Sequence, residues 1–160
     1  VINKIVKFME RAELFLGVVF LSTFFITILI QIFARYLGIA AIWTEEVANY
    51  SFIWSVFMGA SVMIKRKSHF RFSLLLEKLE GKARIYLNII INIILLLFNI
   101  SVFYYGIIAT KSFWNYRWVA LPDFKMGYVF LCLPIMGITM AFYVLADIIK
   151  NVQAIRKGGQ

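Results

Sequence analysis

Residues 14–34 read LFLGVVFLSTFFITILIQIFA, a run of 21 positions without a charged side chain. As a helix at 1.5 Å per residue this run is about 31 Å long, which matches the hydrocarbon thickness of a bilayer. Working outward, three more uncharged blocks follow at 47–64, 85–110 and 126–146. The third exceeds a bilayer core, so a tilted or protruding helix is expected there. Hydrophobic residues make up 62% of the 160 positions, where soluble domains hold nearer half. The expected fold class is therefore an all-α membrane protein of four transmembrane helices, forming one membrane domain over 1–160. The first block is too long for the apolar region of a signal peptide. It is followed by Arg35 and Tyr36, not by a small-residue cleavage site, so it reads as a retained helix.

Charge sets the orientation. With both termini in the cytoplasm, that side carries thirteen Lys and Arg and the other side four, so the positive-inside rule gives N-in/C-in. Residues 1–13 place Ile2, Ile5, Val6, Met9 and Ala12 at helical spacing, with Lys4, Lys7, Glu10 and Arg11 opposite. This predicts an amphipathic arm on the inner membrane surface that leads into the first span. A second amphipathic stretch, 70–81, has Phe72, Leu75, Leu76 and Leu79 on one face, with Gly81 as its stop. The net charge of +9 is spread through connectors between apolar blocks. It therefore reads as a topology signal and contact with anionic phospholipid, with no nucleic-acid role.

The residues available for chemistry exclude several functions. The single Cys132 cannot form an intrachain disulfide, and the single His69 lies in a basic connector where it cannot ligate haem within a bundle. No catalytic constellation, metal site or cofactor motif is present, so neither an enzyme nor a cofactor in this chain is expected. Glu10 and Glu13 are placed at the inner surface, and no acid lies at the centre of a span. A small proton-coupled exporter would need a carboxylate embedded in its first helix, and the expectation is a bundle unbroken by buried charge.

Glu45 and Glu46, after Trp43 and Thr44 at the outer start of the second span, are the most distinctive charged pair. Three readings stay open: helix-start electrostatics with Thr44 as cap, an ion pair with Arg35, or an ion-coupling site. Arg35, Glu45, Glu46, Arg117, Asp123 and Lys125 are the outer charges available to a soluble partner. Trp43, Trp114 and Trp118 are expected as interfacial anchors. Ser51, Ser55 and Gly59 on the second span, and Asn88, Asn92 and Asn99 on the third, are expected to pack helices. Pro134 is expected to kink the fourth.

The stretch from Gln31 to Leu75 resembles the small (Q) membrane subunit of tripartite ATP-independent periplasmic (TRAP) transporters. The residues that carry the resemblance are Arg35, Trp43, Glu45, Glu46, Gly59, Ala60, Lys67 and His69. The resemblance implies a static scaffold in the bacterial inner membrane. Its partners would be a large (M) subunit that works as a sodium-coupled elevator and a periplasmic substrate-binding protein that delivers an organic anion. Sialic acid or a C4-dicarboxylate is the implied cargo. The rival readings are a self-contained homo-oligomeric transporter and a membrane anchor for another complex.

Overall fold

The computed structural model describes residues 2–66 and 81–157. The amphipathic stretch expected over 70–81, apart from Gly81, lies outside the described residues, as do Lys67 and His69. The elements are α1 (Ile2–Tyr36), α2 (Trp43–Lys65), α3 (Gly81–Phe113), a single turn α4 (Gly127–Phe130) and α5 (Cys132–Lys157). Among the described residues four helical stretches are long and apolar enough to cross a membrane, with α4 and α5 together making the fourth. Gly81 opens α3, and the helix it was expected to stop lies outside the described residues.

The segment expected as a separate arm, 1–13, is continuous with the first span in one 35-residue helix. At 1.5 Å per residue α1 is about 52 Å long, well beyond a bilayer core. Nor does its N-terminal part stand apart: Val6 is buried against Tyr143 and Ala146, with Met9 and Ile64 packed around it. The apolar face assigned to lipid thus packs against α5 and α2. At the other end α1 stops at Gly38, whose φ of +72° few residues but glycine adopt. Ile39 N–H donates to Ala34 O at 2.9 Å and Gly38 N–H to Arg35 O at 3.2 Å, a Schellman closure.

The helices form a row in the order α1, α2, α5, α3. α1 packs on α2, α2 on α5 and α5 on α3, while among the described residues α1 and α3 do not touch. Consequently half of the most apolar stretch of the fourth span is buried, against 6% in α1 and 11% in α3. α5 is the centre, and α1 and α3 are edges.

Each seam has its own chemistry. Between α3 and α5 the backbones nearly meet. A Cβ on Gly106 would lie 2.9 Å from Pro134 N, and one on Gly137 would lie 2.7 Å from Phe103 N. Asn92 Nδ2 donates to Asp147 Oδ2 at 2.8 Å across the same seam. Asn99 does not bridge helices as expected: its Nδ2 donates to Leu95 O on its own helix at 2.7 Å. Asn88 is half-buried. Between α1 and α2, Phe20 stacks on Trp54 and Phe24 tilts against Phe52 at 5.3 and 5.1 Å between ring centroids. Gly17 faces Met58 there. The small residues of α2 do not act as one stripe: Ser51 is buried, Ser55 half-buried and Gly59 exposed with open space above it. Pro134 lacks the N–H that would bond back to Phe130 O, and the fourth span is interrupted at Leu131, between α4 and α5. Hydroxyls elsewhere bond to their own helix, Thr27 to Thr23 O and Thr110 to Gly106 O among them. Bonding in this way keeps the hydrogens of Thr27 and Thr110 from facing hydrocarbon.

The α3–α5 seam yields a stability test. Gly137→Ala and Gly106→Ala force backbones apart and should destabilise the chain by about 1–3 kcal/mol, the usual range for overpacking. Gly59→Ala, with nothing to meet, should cost nothing and can gain up to about 1 kcal/mol from helix propensity. Thermal unfolding of the purified protein in detergent checks this, and equal midpoints for all three variants would refute the seam.

Candidate functional site

The charged start of α2 is organised by a loop some seventy residues further along the chain. Ile42, at the N-cap position, has helical dihedrals and supplies no capping bond. Thr44 is not the cap either: its Oγ1 donates to Ala41 O at 2.6 Å, and the residue is fully buried. The carboxylate of Glu46 instead turns sideways and accepts two backbone hydrogen bonds, from Val119 N at 2.7 Å and Ala120 N at 2.9 Å. Two N–H donors on one carboxylate make a short, charge-assisted clamp.

What Glu46 holds is a small hairpin. Arg117 and Lys125 pair as an antiparallel bridge. Met126 N–H donates to Tyr116 O at 2.8 Å and Trp118 N–H to Phe124 O at 3.1 Å. Arg117 Nη1 closes the turn by donating to Pro122 O at 2.8 Å. Aromatic rings weld the hairpin to the helices. Trp118 lies between Tyr50 at 4.5 Å and Phe124 at 5.2 Å, and Phe113 stacks on Phe130 at 4.4 Å. Trp114 packs so closely on Gly127 that a Cβ there would sit 2.5 Å from its ring. Trp54 Nε1 reaches Tyr128 O at 3.2 Å.

The expected outer charges therefore divide into two groups. Glu46, Arg117 and Lys125 are engaged in holding the hairpin, with Lys125 Nζ 5.5 Å above the Trp114 ring. Arg35, Glu45 and Asp123 are exposed. Arg35 makes no ion pair with Glu45 or Glu46. It lines a shallow pocket with Gln31, Ile32, Ile39, Ala41 and Ile42. Of the expected anchors, Trp43 and Trp114 are partly exposed, whereas the indole N–H of Trp118 is buried and Trp118 belongs to the hairpin's interior.

The opposite end, which carries both termini, holds the residue that the sequence reading misplaced. Glu10 accepts from Arg66 Nε at 2.9 Å and faces Lys65 Nζ at 3.9 Å, tying α1 to the end of α2. Glu13, one turn further in, is 5% exposed and not at a wetted surface. Tyr143 OH donates to its Oε2 at 2.7 Å. The hydroxyls of Ser61 and Thr139, 3.3 Å apart, flank it, and Oε1 has no partner among the described residues. The expectation of a bundle without a buried carboxylate is overturned. The signal was present in the spacing: Glu13 lies seven residues after Val6 and four before Gly17, on the packed face of α1. Among the described residues no group of three or more His, Cys, Asp or Glu side chains gathers to hold a metal.

Comparison with known proteins decides the family. The profile described as "Tripartite ATP-independent periplasmic transporters, DctQ component" matches residues 24–154, from the C-terminal half of α1 to the last turn of α5. The chain belongs to this family. It is thus a small permease component and not an enzyme. It is 27% identical over 147 residues to the isethionate TRAP transporter permease protein DctMQ of Oleidesulfovibrio alaskensis, covering 86% of this chain and 22% of that protein. The sialic acid TRAP transporter permease protein SiaT of Haemophilus influenzae is 24% identical over 137 residues, covering 85% and 22%. The small permease protein SiaQ of the sialic acid TRAP transporter of Vibrio cholerae is 29% identical over 110 residues, covering 68% and 62%. The chain thus spans about a fifth of the length of the first two relatives and under two thirds of the third.

Two tests follow from the DctQ geometry. Glu46→Ala leaves two amides without acceptors, and amide hydrogen exchange over 116–126 should speed up at least tenfold, as loss of about 1.5 kcal/mol per charged hydrogen bond requires. Glu45→Ala is the control and should leave the hairpin unchanged; equal exchange in both variants refutes the clamp. At the other end, Glu13→Ala orphans the Tyr143 hydroxyl and should cost about 1–3 kcal/mol, while Glu13→Gln keeps an acceptor and should cost much less. Melting curves of the two variants, if they coincide, exclude the bond as a source of stability.

Proposed function

We propose that this chain is the small, static subunit of a TRAP importer in the bacterial inner membrane. The positive-inside bias puts both termini in the cytoplasm, which directs the hairpin end toward the periplasm. There the hairpin and the start of α2 form part of the surface that receives the periplasmic substrate-binding protein. The four spans brace the large M subunit, which binds sodium and cargo and moves.

The observation that carries this reading is the bidentate hold of Glu46 on the hairpin. A loop free to move would cost ordering entropy at every docking event, and one already fixed to a membrane helix does not. The long helices α1 and α3 and the partly exposed Trp43 and Trp114 resist sinking and rotation in the bilayer. Lys4, Lys7 and Arg11 recur at helical spacing on α1 and face anionic phospholipid headgroups. In DctMQ and SiaT the matching portion is about a fifth of one longer permease polypeptide, which supports lasting association with a large subunit. The relatives are named for isethionate and sialic acid, so the cargo is read as an organic anion, sialic acid or a C4-dicarboxylate. This chain supplies no cofactor.

Reconstitution of the complex in liposomes tests the docking role. Arg35→Glu should lower sodium-driven uptake severalfold at low salt, with a smaller loss at high salt, because a rim charge acts mainly on association. The yield of intact complex should be unchanged. Full uptake by Arg35→Glu at equal yield would remove Arg35 from the docking surface. Accumulation of a labelled anion by the small chain alone would overturn the scaffold reading and favour a self-contained transporter.

A further inference from the structure

Two of the spanning helices expose only a narrow stripe, and the two stripes differ in chemistry. On α5 the outward positions include Ile135, Ile138, Leu145, Ile149 and Val152, spaced at three, four and seven and all aliphatic. Such a surface is at ease against acyl chains. On α2 the outward positions are Asn49, Phe52, Val56, Gly59 and Met63, again at steps of three and four. This second stripe suits lipid poorly. Asn49 lies six residues inside the helix from Trp43, about 9 Å along its axis, and has no hydrogen-bond partner among the described residues. A carboxamide directed at hydrocarbon is costly unless another chain bonds it. Gly59, ten residues further on, presents bare backbone: a Cβ built there meets nothing within 4 Å. A glycine at such a position lets a second helix approach backbone to backbone. Phe52, Val56 and Met63 stand around it, each a little under half exposed. Of the asparagines on the third span, Asn92 and Asn99 are buried and Asn88 is half-buried, so the exposure of Asn49 is not a general feature of the spans.

We propose that this face of α2 is the seat of a transmembrane helix of the large subunit, with closest approach at Gly59 and an interhelical hydrogen bond at Asn49. The inference rests on the reading of the chain as one part of a two-part permease, and it assigns the shared surface. The α5 stripe faces lipid. This arrangement places the interface on the helix whose start also grips the hairpin through Glu46, so that one rigid element joins the large subunit to the docking surface.

The test is site-specific photocrosslinking in membranes containing the complete transporter. A benzophenone side chain is introduced at Val56 or Met63 on α2, and at Ile138 or Leu145 on α5. The α2 positions should crosslink to the large subunit and the α5 positions should not. Crosslinks from α5 with none from α2 would overturn the proposal while leaving the two-part permease intact. Failure of the unmodified chain to co-purify with any large subunit would overturn both. As a second measurement, Gly59→Leu should reduce the co-purified large subunit at least tenfold, and Asn49→Leu about threefold, the worth of one interhelical hydrogen bond. Ile138→Ala should leave recovery unchanged. The isolated Gly59→Leu chain should melt no lower than the parent, since a Cβ at that position meets nothing within 4 Å in the chain and leucine favours the helix more than glycine. Undiminished recovery with Gly59→Leu would overturn the assignment.

Discussion

In hydrocarbon the hydrophobic effect does not drive helices together, because lipid tails solvate Leu and Ile as well as a neighbouring helix does. Every seam in this chain answers that constraint with close backbone approach, ring stacking or a polar pair. Gly106 and Gly137 bring α3 and α5 together, and the Asn92–Asp147 bond sets their register. Phe20, Phe24 and Gly17 fit α1 to α2. Ser61 with Thr139, and Glu13 with Tyr143, join α5 to the other two. Remove these contacts and what remains is aliphatic surface with no preference between protein and lipid.

The same constraint explains what could be read from the sequence. Uncharged runs near 20 residues long can hardly be anything but spans, so the helices were legible from Leu14 onward, and the family resemblance was legible from the motif residues between Arg35 and His69. The neighbour order was not. Apolar periodicity separates inside from outside only when the outside is water, and here both faces of a span are apolar. The row α1, α2, α5, α3 depends on glycines such as Gly106, which in the sequence looks no different from the exposed Gly59.

The partner of Glu46 was hidden for another reason. Sequence reasoning matched a carboxylate with the nearest cation, Arg35, or with its own helix start. The donors were backbone amides of Val119 and Ala120, which carry no sequence signature. Glu13 was misplaced because a carboxylate beside an amphipathic arm was assumed to be wet. The seven-residue step from Val6 pointed inward, and the Tyr143 hydroxyl that receives it lies 130 residues away. In both cases residue type was weighed above position on the helix, and position decided the environment.

An open row differs mechanically from a closed bundle. A closed bundle buries its own interior and offers a partner only convex surface. A row leaves a stripe of each central helix uncovered, and a neighbour can lie along one of them over the full depth of the bilayer. The cost is that a row has little stiffness of its own across its plane. Here the two ends compensate. At the terminal end α1 crosses onto α5 through Val6, Glu13 and Tyr143, closing a triangle with α2. At the other end the hairpin between α3 and α4 reaches back to α2 through Glu46 and the Tyr50–Trp118 contact. The two edge helices are thus fastened at opposite ends and leave the middle of the row free. That distribution suits the proposed bracing role, because relative sliding of the helices is opposed at both ends of the row while the exposed stripe of α2 stays uncovered.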